Sequence, residues 1–273
     1  MTTWEIDFYR RPLRDEAGNV WWELLICNPN RTFSYEALCP QSQVNANWVV
    51  EQLQIAIAQH QTKPAKIQVF RPQSLSLIET AAEKLAIPVE ATRRTLAVKA
   101  WLQERKYPQT SEPYHPLALD KPPPVPLPEN LLGEQWRFAT LPASDIGEFC
   151  DRPIPIVEIP EFLLPINLGI ASTTPIPGVI IYGGRQSMRL AHWLAESQPF
   201  ALNYIAGAPD GLILEAGLID RWVVVTFEDK EVAASAKMYE QRKIPSKGLH
   251  FLLVQPDDSG MTYSGFWLLR GEN

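Results

Sequence analysis

Eight of the 22 residues from Tyr107 to Pro128 are proline: Pro108, Pro113, Pro116, Pro122, Pro123, Pro124, Pro126 and Pro128. Proline has no backbone N–H and a fixed φ, so neither a helix nor an interior strand runs through such a stretch. It reads as a semi-rigid, polyproline-II-like segment. The 273-residue chain is thereby divided. The expected organisation is a first domain over 1–106, a Pro-rich linker over 107–133 and a second domain over 134–273. The linker could bind a proline-recognition module, but an interdomain spacer is the simpler reading.

Charge follows the same division. Residues 1–106 carry 13 Lys and Arg against 11 Asp and Glu, and residues 107–273 carry 12 against 20. The net charge of −6 excludes a polycation, so a nucleic-acid surface belongs on the first third of the chain. No apolar run approaches the roughly 18 residues of a membrane-spanning helix. The N-terminus has neither a signal peptide nor an Arg/Ser-rich transit segment, which points to a cytoplasmic protein. Cys27, Cys39 and Cys150 form no CxxC and no zinc spacing with any His. They are expected as reduced, packed thiols, and no metal or cofactor is expected.

Both domains read as α/β. In Trp4–Pro12, Trp4, Ile6, Phe8 and Arg10 face one way, and Glu5, Asp7, Tyr9 and Arg11 the other. Strands are predicted over 4–10, 20–28 and 32–38, with the first turn at Gly18-Asn19. A helix over 43–59, a strand over 66–70, a helix over 74–85, a strand over 88–90 and a helix over 91–105 follow. This β-β-β-α-β-α-β-α order is that of the ribonuclease H-like fold. After the prolines come strands at 135–140, 178–182, 200–206, 212–216, 221–227, 249–255 and 263–269. Helices are expected over 185–196 and 229–241. The topology of this second mixed α/β domain is open at the level of sequence.

Asp7 in the first strand raises the question of two-metal nuclease chemistry, which needs three or four converging acids. Glu51 or Glu23 could join it. The fourth strand, however, ends at Val69-Phe70-Arg71, and the last helix offers Arg93 and Arg94 where further acids would be needed. The carboxylate set is incomplete, so a non-catalytic domain is expected and a metal-dependent nuclease is the minor alternative. Arg10, Arg11, Arg71, Arg93 and Arg94, with Tyr9 and Trp22, are instead the candidates for RNA binding. A cation beside an exposed ring suits a phosphate and a stacked base on a single strand. The turn Gly183-Gly184-Arg185 is a secondary anion-site candidate at a helix start, although a tight turn explains the glycines equally. His60, His115, His192 and His250 are scattered, and His250, in an apolar strand, reads as a satisfied core imidazole.

Several stretches occur together in order: Trp4–Pro12, Val69–Gln73, Gln135–Phe138 with Leu141-Pro142, Gly248–Leu252 and Gly265–Leu269. Together they resemble the Tab/Atab family of cyanobacterial and plastid proteins, from near residue 4 to near residue 270. The resemblance implies an RNA-binding factor in the translation of photosystem mRNAs, especially that of the photosystem I reaction centre. It also implies a preference for A/U-rich single-stranded RNA in the 5′ untranslated region, and a part in photosystem assembly. It carries no enzymatic activity and assigns no RNA-contacting residue. The missing transit segment suggests a cyanobacterial-type member, cytoplasmic or peripheral to thylakoids. Ribosomal or photosystem-assembly proteins are further expected partners, and a non-catalytic protein-binding scaffold is the alternative function.

Overall fold

The computed structural model describes residues 2–16, 18–108 and 114–271; the part of the proline stretch at 109–113 lies outside them. Two compact units are present, Met1–Asp120 and Lys121–Asn273, and each is a mixed α/β structure. The described prolines sit within these units. Pro116 lies on the first, while Pro126 is part of a short strand of the second.

The first unit runs β1 (Thr3–Arg14), β2 (Val20–Cys27), β3 (Ser34–Pro40), α1 (Ala46–His60), β4 (Lys66–Val69), α2 (Pro72–Lys84), β5 (Val89–Ala91) and α3 (Leu96–Glu104). Its sheet is ordered β3-β2-β1-β4-β5. β1, β2 and β3 are antiparallel, while β1, β4 and β5 are parallel. The alternation in β1 decides what each face holds. Trp4, Ile6 and Phe8 are buried in one core with Val49, Leu53 and Ala56 of α1 and Ile78, Ala81 and Ala82 of α2. Glu5, Asp7 and Arg11 are buried on the other face. There Leu25, Cys27 and Phe70 pack against Ala97, Val98 and Leu102 of α3, with Leu117 and Leu119 beside them. Cys27 and Cys39 fall in these two different clusters and are free thiols.

Local signals set the helix ends. Asn45 caps α1 by accepting from the Trp48 N–H at 3.0 Å. Pro72 occupies the first turn of α2, where its missing N–H costs nothing. The helix expected from residue 74 thus begins two residues earlier. The helix expected from residue 91 begins only at Leu96, because Thr92 Oγ1 accepts from the Arg94 N–H and holds a loop.

The second unit contains β6 (Val125–Pro126), β7 (Gln135–Pro142), α4 (Glu148–Asp151), β8 (Ile156–Glu158), β9 (Pro175–Tyr182), α5 (Ser187–Ser197), β10 (Pro199–Ile205), β11 (Asp210–Ala216), β12 (Asp220–Phe227), α6 (Lys230–Arg242), β13 (Leu249–Gln255) and β14 (Gly265–Arg270). They form a four-stranded sheet, β10-β11-β12-β6, and a five-stranded sheet, β7-β9-β13-β14-β8. β13 is buried along its whole length. Leu252 and Val254 join a core with Leu190 and Leu194 of α5 and Tyr239 of α6, while Leu249, Phe251 and Leu253 fill a second core on the other face. β6 and β8 escape detection in the sequence because they are two- and three-residue strands among prolines.

His250 is the satisfied core imidazole expected of it. Its Nε2 accepts from the Leu202 N–H at 2.9 Å, and its Nδ1 faces the Gly248 carbonyl at 2.8 Å. Burial, and secondarily the Lys243 charge, push its pKa down to about 3. The neutral ring therefore stabilises the fold above its ordinary value near 6.5, and that contribution is lost as pH falls from there towards 3. Replacing it, as in His250→Gln, should flatten the fall of unfolding free energy across this interval by up to one proton's slope, read by urea titration at stepped pH. An unchanged slope would contradict the assignment. At Gly178 of β9 an added Cβ would run into the Phe251 ring. The Gly178→Ala protein should lose roughly 1–3 kcal/mol by overpacking, visible in thermal unfolding.

An arginine-clamped carboxylate as candidate functional site

Asp7 sits mid-strand in β1, fully buried on the α3 face. A lone ionised carboxylate there would be very costly, so partners are obligatory. Two guanidinium groups supply them. Arg11, four residues along the same strand, donates from Nη2 to Asp7 Oδ2. Arg71, at the end of β4, donates from Nε to Asp7 Oδ1 at 2.7 Å. Parallel pairing of Ile6 with Val69 brings Arg71 alongside.

The other two nitrogens of each guanidinium also find an acceptor. Arg11 Nε donates to Glu23 Oε2 at 2.9 Å, and its Nη1 donates to the Tyr114 hydroxyl at 3.2 Å. Arg71 Nη1 and Nη2 donate to the carbonyls of Ala118 and Pro116 at 3.1 and 2.7 Å. The Arg71 guanidinium also lies 4.2 Å from the Tyr9 ring centroid and 4.9 Å from that of Phe70. Residues 114–118 thus lie against the buried arginines and are tied to them through the Tyr114 hydroxyl and the Pro116 and Ala118 carbonyls.

Glu23 extends the network to the surface. Its Oε1 accepts from Arg105 Nη2, and its Oε2 accepts from the Tyr107 hydroxyl at 2.6 Å. Arg105 Nη1 reaches Glu36 at 2.6 Å. Three carboxylates therefore balance three guanidinium groups, and the cluster as a whole is neutral. Burial works against the Arg11 charge, but Asp7 together with Tyr107 and Tyr114 outweighs it, so Arg11 is held above its ordinary range. Burial likewise raises the Tyr107 phenol. Glu5, the other buried acid of β1, accepts from the Val98 N–H at 2.9 Å and caps the first turn of α3. Burial raises its pKa, with the Val98 hydrogen bond opposing.

A divalent cation does not fit this donor set. Both oxygens of Asp7 are held by guanidinium groups, and Glu23 is held by Arg11, Arg105 and Tyr107. Glu51 is exposed on α1, which packs on the opposite face of the sheet. Among the described residues no group of three or more His, Cys, Asp or Glu is arranged to hold a metal.

The RNA-binding candidates part company here. Arg11 and Arg71 are buried at 3% and 1% exposure and internally neutralised, so the structure withdraws them from phosphate contact. Arg10 is exposed, with its guanidinium 5.7 Å from the Tyr9 ring centroid. It pairs in register with Trp22, whose ring meets that of Tyr9 edge-on at 5.8 Å. Tyr9, Arg10 and Trp22 therefore form one partly exposed group at the end of the β1–β2 hairpin. Arg93 and Arg94 lie in the β5–α3 loop, with Arg94 exposed. Arg105, Tyr107 and Tyr114 are the parts of the network that periodicity could not reveal, because they reach it from beyond α3.

The secondary anion site is corrected by the structure. The Gly183 and Gly184 N–H groups donate to the carbonyls of Gln255 and Pro256, each at 2.9 Å. The Glu134 carboxylate occupies the ground where a Gly184 Cβ would stand. Amides already used and an acid alongside leave no anion cradle, although Arg185 itself is exposed.

Fold and site define a two-unit α/β chain with a self-neutralised charge cluster in the first unit and a small cationic and aromatic edge beside it. Residues 3–105 match the family model "RNA-binding protein Tab2/Atab2 N terminal", and residues 114–270 match "RNA-binding protein Tab2/Atab2, C-terminal domain". The chain belongs to the Tab2/Atab2 family of RNA-binding proteins. It is 33% identical over 283 residues to the chloroplastic protein TAB2 homolog of Arabidopsis thaliana, covering 97% of this chain and 74% of that one. To the chloroplastic homolog of Zea mays it is 30% identical over 278 residues, covering 97% and 70%. Among solved structures, a chain of the simian T-cell lymphotropic virus intasome bound to PP2A regulatory subunit B56 gamma aligns with 37% of this chain and 38% of its own. That alignment has 14% identity and a TM-score of 0.26, and it carries no weight for fold or function.

Removing the acid should expose the clamp's structural role. Asp7→Asn leaves two buried guanidinium groups facing a neutral amide. It should cost about 3–5 kcal/mol in denaturant unfolding. A protein as stable as the parent would contradict the clamp.

Proposed function

We propose that this chain binds single-stranded RNA with a preference for A/U-rich sequence, without cutting it. The target is the 5′ untranslated region of photosystem messages, that of the photosystem I reaction centre in particular. Binding there supports translation and photosystem biogenesis. The observation that carries this reading is membership, across both units, of a family described as RNA-binding. The chloroplastic relatives support the link to photosynthesis.

The first unit supports a non-catalytic, ribonuclease H-like reading. Its element order and its β3-β2-β1-β4-β5 sheet agree with that fold, while arginines stand where metal-binding acids would be required. The net charge of −6 means that affinity has to come from local contacts. Tyr9 and Trp22 offer rings, each stacked base contributing about 1–3 kcal/mol, and Arg10 and Arg94 offer phosphate contacts. The acidic balance of residues 107–273 favours protein contacts there, with ribosomal or assembly proteins as the second reading of that unit.

The test is titration of a labelled A/U-rich single strand, and a G/C-rich one of equal length, from low to physiological salt. Tighter binding of the A/U-rich strand and a steep fall with salt are expected. Arg10→Ala should reduce the log–log salt slope by about 0.7, one phosphate contact on a single strand. Absence of binding at low salt would overturn the RNA reading and leave the protein-binding one, which predicts recovery of ribosomal or assembly components in a pull-down.

A further inference from the structure

At the open end of the charge network lies a pocket of about 300 Å³, lined by Leu13, Glu23, Arg105, Lys106 and Tyr107. Its volume is of the order of one nucleotide. We propose that it holds a single nucleotide of the bound strand, with the phosphate between Arg105 and Lys106 and the ring system against Tyr107 and Leu13. The inference rests on the RNA-binding reading and adds to it a site on the opposite face of β1 from Trp22.

The pocket is built rather than incidental. Glu23, a buried acid, is fixed from three sides by Arg11, Arg105 and Tyr107, so floor and wall are held in place before any ligand arrives. Arg11 sits 5.7 Å from the Tyr107 ring centroid, and Tyr114 meets the same ring edge-on at 5.2 Å. Both oxygens of Glu23 are already hydrogen-bonded, so the floor repels a second phosphate and recognition falls to the rim.

The rim is cationic. Lys106 is exposed and has no ion-pair partner among the described residues. Arg105 divides its guanidinium between Glu23, 1% exposed, and Glu36, 58% exposed. A solvent-exposed pair is worth at most about 1 kcal/mol, so Glu36 is the partner that an incoming phosphate displaces. Arg105 then keeps its hold on Glu23 and binds phosphate through Nη1.

The arrangement predicts opposite signs for two substitutions. Lys106→Gln should weaken binding of the full-length protein to the labelled A/U-rich strand and lower the salt slope by about 0.7. Glu36→Gln, which removes the competitor for Arg105, should tighten it. Lys63→Gln, near the other end of β1, and Glu79→Gln, on α2, should change neither quantity. Melting curves confirm that each variant is folded. If the parent binds RNA and Lys106→Gln and Glu36→Gln behave like these controls, the pocket is not used and the RNA-binding reading stands. If the parent binds no RNA at low salt, both are overturned.

Discussion

A carboxylate in the middle of a central strand, out of reach of water, has to be neutralised from within the protein. In the first unit Asp7 imposes that requirement, and much of the face around it answers the requirement. β1 supplies Arg11 from one side, and the end of β4 supplies Arg71 from the other. Both arginines then need acceptors for their remaining N–H groups. Those acceptors are Glu23 across the hairpin, the Tyr114 hydroxyl, and the Pro116 and Ala118 carbonyls of the chain beyond α3. One buried charge thus fixes the partner strand, the neighbouring strand and the path of residues 114–118.

The same constraint narrows the chemistry. Metal-dependent hydrolysis needs acids whose oxygens are free to converge on a cation. Here those oxygens are committed to guanidinium groups, and Glu51 lies on the far layer of the sheet. A neutral cluster also contributes no net attraction to a polyanion. Cationic character survives at the edges of the first unit, as at Arg10 beside the rings of Tyr9 and Trp22, at Arg94, and at Lys106 beside the pocket lined by Tyr107. The proposed RNA reading, with few phosphate contacts and stacked bases, is one that suits a short single-stranded segment rather than a duplex.

Much of this was legible in the sequence where the signal is local. The alternation of Trp4 to Arg11 assigns both faces of β1 correctly, and the helix and strand order of the first unit follows from periodicity. Boundaries fail where side chains intervene, as at Thr92, or where proline starts a helix, as at Pro72. The site was only half legible. The mismatch between Asp7 and Arg71 is visible as residue types, but treating Arg11 and Arg71 as surface cations ignored what a buried acid demands of its neighbours. Arg105, Tyr107 and Tyr114 are distant in sequence, and no local pattern marks them. The glycine turn at 183–184 looked like an anion cradle because a sequence does not show that its amides are already bonded to Gln255 and Pro256.

The most direct test of an arginine clamp in place of a metal centre is the length of a single-stranded RNA after prolonged incubation with the protein and Mn²⁺ or Mg²⁺. The strand should remain full length under conditions where it is bound. Metal-dependent shortening that disappears in the Asp7→Asn protein, with its fold verified, would contradict the clamp and restore Asp7 as a catalytic ligand.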